Sequence, residues 1–330
     1  MASDGKFGID GKRVAVTGAG GFIGGAVTRR LIAGGAEVVG IDSAPDSAAR
    51  IESAGADARI ADVTDPAAMR GALGQAELLV HTAAIVSDAG SMADHIRVNV
   101  GGTATVLGAA AEAGVGRSLH LSSVVVYGYD DPSTQDETAH LRNCGVPYID
   151  TKSASDRLAR RRGAVVVRPG DVYGPGSVPW SVRPLALAKS GQLAVPAGGE
   201  SMMLPVYIDD LADAVIVALE RGRAGEAYAA WNDADTVTFE SFFNRFAEIS
   251  GGREARRLPA PLIRALGTAI EGASRLTGRT PPMTRHSVVL ISRRGSVSAA
   301  RLRTLGWTPK VSFDEGMRRT EEWFRAEGLL

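Results

Sequence analysis

Short apolar runs alternate with stretches of helical spacing through the first half of the chain. The first run, 13–17, breaks on Gly18, Gly20 and Gly21, and helical spacing then covers 22–33. A second run, 37–41, ends in Asp42. The same pattern predicts strands over 58–61, 77–84 and 164–168, and a strand entering a loop over 118–128. Helices are predicted over 91–113 and 147–161. Repeated strand–helix units imply a parallel sheet covered on both faces with right-handed crossovers, a Rossmann-type, doubly wound α/β fold. Gly18, Asp42, Asp62, Thr82, Ser123 and Arg168 all follow strand-like runs, where such sheets bind ligands.

The second half is less regular. Proline and glycine cluster at 170–179 and 196–205, and helices are predicted over 209–221, 239–250, 258–276 and 313–326. The aspartates Asp209 and Asp210 suit a helix N-terminus. No repeat or low-complexity linker divides the chain. Residues 1–170 are therefore read as a dinucleotide-binding domain. Residues 171–330 are read as a smaller substrate lobe, with some segments returning to the first domain.

The break after 13–17 has the spacing Gly18, Gly21, Gly24. Gly18 would allow the tight turn, Gly21 the approach of a pyrophosphate, and Gly24 close packing of helix on strand. The first-turn backbone of Phe22 and Ile23 would face the same anion. Asp42, roughly 20 residues on, can accept hydrogen bonds from both adenosine ribose hydroxyls. No arginine or lysine follows it until Arg50, so NAD is expected rather than NADP.

Composition narrows the remaining classes. The chain has 330 residues, 45% of them hydrophobic, which is enough for a full core. Its formal charge is zero, and no basic run suggests a nucleic-acid surface. With one cysteine, Cys144, neither a disulfide framework nor a thiolate metal site is expected, and the five histidines form no ligand pattern. No apolar secretory segment opens the chain and no apolar stretch suits a membrane span, so a cytoplasmic protein is expected.

Tyr148 and Lys152 are four residues apart on the predicted 147–161 helix and so share a face. A phenol ordinarily titrates at about 10, and an adjacent ammonium favours the phenolate. That phenolate can take a hydroxyl proton or return it to a carbonyl. Ser123 is the candidate third member, hydrogen-bonding the substrate oxygen as charge develops. Its neighbour Ser122 suits a backbone bond in the loop.

With these motifs in place the chain resembles the extended short-chain dehydrogenases/reductases over nearly its whole length. The matching segments are 17–24, Asp62-Val63, 81–84, 98–103, 122–128, Tyr148-x-x-x-Lys152, 168–175 and 206–210. The resemblance implies Ser123, Tyr148 and Lys152 as the catalytic set, with hydride transfer at nicotinamide C4. It implies adenine-side contacts from Asp62 and Val63, cofactor lining by Thr82, Ala83 and Ala84, a loop fixed by Asn99, and Gly170 near the nicotinamide. It also implies a homodimer through the 91–113 and 147–161 helices, eased by small residues such as Ala109, Ala110 and Ala111.

Within that family three departures argue against sugar-nucleotide members. Val124 and Val125 stand where dehydratases carry an acidic pair. Met203 stands where many members bind a diphosphate with arginine. Asp171 replaces a common asparagine and would repel a phosphate. The apolar stretch 258–276 and the adaptable Met202 and Met203 suit an apolar substrate, and the tail from Pro281 through His286 to Trp307 and on through 313–324 resembles that of 3β-hydroxysteroid dehydrogenase-like members. The expected reaction is oxidation of a secondary alcohol on an apolar small molecule, or its reverse. A nucleotide-sugar 4-epimerase using tightly bound NAD is the alternative. For the 258–276 helix, core or dimer packing and contact with a membrane surface remain open beside a substrate role.

Overall fold

The computed structural model describes residues 8–87, 90–128, 131–197, 201–277 and 290–330. Seven strands form one sheet: β1 (Arg13–Thr17), β2 (Glu37–Asp42), β3 (Asp57–Ile60), β4 (Leu78–His81), β5 (Arg117–Leu121), β6 (Val165–Pro169) and β7 (Ala227–Ala230). They lie in the order β7-β6-β5-β4-β1-β2-β3, and every pair is parallel. The order reverses at β1, where Thr17 pairs with Ile41 on one side and with His81 on the other. That switch point opens a crevice beyond the strand ends. β7 is drawn from beyond residue 170 and completes the sheet.

The strands are apolar on both faces because helices cover both. Val14, Val16, Val80, Leu119 and Val167 pack into one core, and Ala15, Val39, Leu79 and Val166 into the other. The helices α1 (Phe22–Ala33) and Ile208–Arg221 pack together, as do Pro66–Leu73 and Thr103–Glu112. The helix α2 (Pro147–Arg161) lies against the segment Ile96–Gly102.

Local differences from the pattern have local causes. The expected 91–113 helix is continuous but π-helical over Ile96–Gly102. The wide turn places Asn99 where its side chain reaches Ile85. The run 118–128 is a strand only to Leu121; Ser123 then caps a 3-10 turn, Val124–Tyr127. Asp210 does more than favour a helix dipole. Its buried carboxylate accepts from Lys310 N at 2.9 Å and Val311 N at 3.0 Å, tying the tail to the Ile208–Arg221 helix.

Beyond the sheet, Asp171–Tyr173 pairs with Pro205–Tyr207, and Met202–Met203 with Val237–Thr238. Met203 is fully buried, so it is a core residue rather than an adaptable site lining. The Ala260–Thr277 helix buries Ile263 but leaves Leu262 and Leu266 exposed. The segment from Pro281 to His286, part of the steroid-dehydrogenase resemblance, lies outside the described residues. Of the alanines expected to ease pairing, Ala109 and Ala110 are buried within their own chain and Ala111 is exposed. Among the described residues no helix is long and apolar enough to cross a membrane, and no cluster of metal-ligating side chains forms.

Candidate active site

β1 ends in a turn that only glycine can make. Gly18 has φ +71°, and a Cβ there would lie 2.9 Å from Ala83 N and Thr82 Oγ1. A Cβ on Gly24 would collide with the Gly18 carbonyl, so α1 can sit close against the strand end. Gly21 is the N-cap of α1. It offers no side-chain cap and the first turn carries no acidic residue. The N–H groups of Phe22 and Ile23 therefore face the crevice mouth uncompensated by side-chain charge.

Asp42 closes one end of this cradle. Its carboxylate accepts from Gly20 N at 3.0 Å and Ala44 N at 3.2 Å. Asp62 and Val63 lie beside it, because Ala61 N donates to the Asp42 carbonyl at 2.8 Å. Asp62 is exposed and caps its own turn through Thr64, whereas Val63 is buried under Gly102. Arg50 was expected only beyond the turn. The fold brings its Nε to the Gly20 carbonyl at 3.2 Å, next to Asp42.

The β4 side of the crevice is equally built. Thr82 Oγ1 donates to the Thr17 carbonyl at 2.7 Å, which leads Ala83 and Ala84 past the glycine turn half-buried. Asn99 holds the next residue at both ends. Its Oδ1 accepts from Ile85 N at 2.7 Å and its Nδ2 donates to Ile85 O at 3.1 Å. Behind them His81 Nδ1 lies 2.7 Å from Thr17 Oγ1 and Nε2 lies 3.0 Å from Thr103 Oγ1. The Thr103 hydroxyl donates to the Asn99 carbonyl, which assigns the proton of neutral His81 to Nε2. Burial, helped by Lys152, pushes His81 down to about 3. The same causes hold His120 well below the ordinary histidine range. Sequence reasoning did not single out this pair, whose rings lie 5.2 Å apart. Two histidines ending adjacent predicted strands were the available signal.

α2 begins where Pro147 pre-sets the first turn. Asp150 accepts from Cys144 N at 2.7 Å and Gly145 N at 3.0 Å, fixing the approach to the helix. Lys152 is buried, and its Nζ donates to the Leu121 carbonyl at 2.5 Å, two residues before Ser123. Burial lowers the Lys152 ammonium to about 8, with Asp156 one turn away opposing that shift. Tyr148, half-buried, packs with Val125, Val146 and Ile149, so it shares a neighbour with the Ser123 turn. Ser123 Oγ accepts from Val125 N at 3.3 Å. Ser122 Oγ has no hydrogen-bond partner among the described residues, contrary to the backbone bond expected of it.

Two other expected positions take structural places. Arg168 is buried, with Nε and Nη2 on the Asp156 carboxylate at 2.8 Å each and Nη1 on the Tyr127 hydroxyl. It ties α2 to β6 and does not enter the crevice. Burial pushes the Tyr127 phenol up to about 12 against the lowering effect of Arg168, so it keeps its proton at neutral pH and offers no base. Gly170 lies between Leu204 and Trp231, where any Cβ would strike the Leu204 carbonyl. Asp171 does not project as a free negative charge, since it pairs with the buried Arg293.

These groups fit a dinucleotide: a side-chain-free turn, an uncapped helix start and a carboxylate at one end of the crevice. The model of the NAD dependent epimerase/dehydratase family matches residues 14–232. A 2-alkyl-3-oxoalkanoate reductase of Shewanella oneidensis is 28% identical over 329 residues, spanning 92% of this chain and 84% of that protein. Sterol demethylase protein B of Methylococcus capsulatus is 28% identical over 334 residues, spanning 96% and 99%. The crystal structure of a dTDP-glucose 4,6-dehydratase from Streptomyces venezuelae, with NAD bound, superposes with a TM-score of 0.75 at 25% identity. It covers 95% of this chain and 97% of that one. The chain thus belongs to the NAD-dependent epimerase/dehydratase family, as an enzyme of its epimerase, dehydratase or reductase type with NAD as its cofactor.

Proposed function

We propose that the protein oxidises a secondary alcohol of an apolar small molecule to a ketone, or reduces that ketone, with Tyr148 as acid/base. The observation that carries this reading is the seat of Lys152. Its ammonium rests on the Leu121 carbonyl, just below Ser123, on the helix that bears Tyr148. A cation there favours the Tyr148 phenolate. In the oxidation the alcohol O–H gives its proton to that phenolate, while Ser123 Oγ–H hydrogen-bonds the same oxygen. Bound NAD supplies the acceptor for the hydride that leaves the carbinol carbon. Gly18, Gly21, Phe22 and Ile23 would hold the pyrophosphate by backbone, and Asp42 the adenosine ribose. Asp62 and Val63 would lie on the adenine side. Thr82, Ala83 and Ala84 would line the nicotinamide half, with Asn99 keeping that loop in place and the backbone of Gly170 near it.

Val124 and Val125 after Ser123 leave no acidic pair there for an elimination, and the names of two relatives, a sterol demethylase protein and an oxoalkanoate reductase, support an apolar substrate. The second reading, a nucleotide-sugar 4-epimerase, is supported by the likeness to the UDP-glucose 4-epimerase of Thermotoga maritima, 25% identical with a TM-score of 0.76 over 96% of this chain and 99% of that one. A homodimer through α2 and the 92–112 helices belongs to either reading.

The test mixes the protein with NAD and a 3β-hydroxysteroid, and separately with UDP-glucose, and follows NADH absorbance. A rise with the steroid alone supports oxidation. Sugar interconversion without net NADH replaces it with the epimerase. Tyr148→Phe is expected to lower turnover by about two to four orders of magnitude with NAD affinity retained. Undiminished turnover would remove Tyr148 from the mechanism.

A further inference from the structure

Beside Val124, one residue after Ser123, lies a recess of about 10 Å³, room for about one water. Tyr127, Asp131, Leu204, Ser296 and Arg293 also line it. Among the described residues Arg293 is the only arginine of that lining, and it is buried with its guanidinium 5.5 Å from the centre of the Phe239 ring. Nη2 is held by the Asp171 carboxylate, and Nε donates to the Met202 carbonyl at 3.1 Å. Nη1 has no hydrogen-bond partner among the described residues. Asp171 is itself fixed, because the carboxylate oxygen that meets Arg293 also accepts from Leu204 N at 2.9 Å.

A buried guanidinium lining a recess next to the Ser123 turn is the group that an anionic ligand would seek. Here a carboxylate of the same chain already occupies it. The pair carries no net charge, so an entering diphosphate would lose its hydration without gaining a free cation, and would meet Asp131 as well. What remains is one buried Arg293 N–H, unpaired among the described residues, in a side chain that lines a recess with room for a single oxygen atom.

We infer that Asp171 is a specificity-determining residue. By occupying Arg293 from within the chain, it excludes a diphosphate from the recess and leaves Arg293 Nη1 to hold one neutral oxygen of the substrate. The inference rests on the alcohol-oxidation reading and names its substrate class: a neutral molecule with a second oxygen acceptor besides the reacting hydroxyl.

The test is a calorimetric titration of NAD-saturated protein with inorganic pyrophosphate, saturation keeping the glycine turn filled. Wild type is expected to show no saturable binding in the millimolar range. Asp171→Asn keeps an acceptor for Leu204 N but frees the cation, and should tighten binding by about tenfold or more. Adding Arg293→Met should erase that gain. Saturable binding to wild type that Arg293→Met removes would overturn the inference, and that measurement needs no Asp171 variant to fold. So would a folded Asp171→Asn protein, with NAD affinity intact, that binds pyrophosphate no better than wild type. For the neutral oxygen, the joint replacement Asp171→Leu with Arg293→Met removes both charges together. It should raise KM for the alcohol about tenfold, more than it lowers kcat; an unchanged KM overturns that half. The titration reads no turnover, so its failure leaves the Tyr148 chemistry standing, and failure of the steroid assay leaves the titration interpretable.

Discussion

Lys152 Nζ donates to the Leu121 carbonyl at 2.5 Å, so the last residue of a central strand seats the ammonium of a neighbouring helix. The folded state holds this cation at a cost, since burial lowers it from 10.5 to about 8. The unfolded chain therefore binds the proton more tightly, and stability gained from relieving that difference appears as pH rises from about 8 towards 10.5. At neutral pH both states are charged and the folded one bears the full penalty. Lys152→Met should accordingly stabilise the protein by about 2 kcal/mol at pH 7, after allowing for the lost Leu121 bond. It should also lose turnover. Urea unfolding and the NADH assay on one preparation check both, and a destabilised variant would mean that the cation is better compensated than its burial implies.

Asp42 and Arg50 meet at Gly20, one on its N–H and the other on its carbonyl. Replacing the carboxylate leaves the guanidinium beside the position proposed for the adenosine ribose. Asp42→Ser should weaken NAD about tenfold and improve NADP, whose extra phosphate the carboxylate no longer repels. Initial rates with the two cofactors decide it. An unchanged preference would separate Asp42 from the ribose.

His81 is neutral and fully buried, with its pKa lowered from 6.5 to about 3. Its contribution to folding is present above pH 6.5, where neither state is protonated. It is lost as pH falls from 6.5 towards 3, because the unfolded chain takes up the proton first. The expected slope is about 1.4 kcal/mol per pH unit from this residue, with His120 adding in the same direction. His81→Gln should flatten the fall in urea midpoint between pH 6.5 and 5. An equally steep fall in the variant would assign acid sensitivity elsewhere.

Much of the fold was legible because periodicity reports burial. The expected helix over 147–161 is Pro147–Arg161, and that over 22–33 is Phe22–Ala33. A strand buried on both faces reads as an apolar run, and the glycines after Thr17 mark the turn by the absence of side chains. Periodicity could not show the π-helical stretch at Ile96–Gly102, since one widened turn barely disturbs the spacing of apolar positions. Nor could it place Met203, where an apolar residue suits a core and a pocket equally.

Charged residues were legible in kind but not in use. Asp171 read as a group that would repel a phosphate; it is one half of a buried pair whose other half is 122 positions away. Arg168 read as a residue at a strand end, and Asp156 takes it into the core.

The sequence alone determined the doubly wound sheet, the glycine turn, the acidic residue that ends β2 and the four-residue spacing of Tyr148 and Lys152. Each is set by neighbours within one turn or one strand. Only the tertiary structure decided which carbonyl receives Lys152, which carboxylate neutralises Arg293, and which histidines are kept uncharged. Those outcomes depend on the distance and dielectric between groups that the chain brings together from far apart, and local sequence encodes neither.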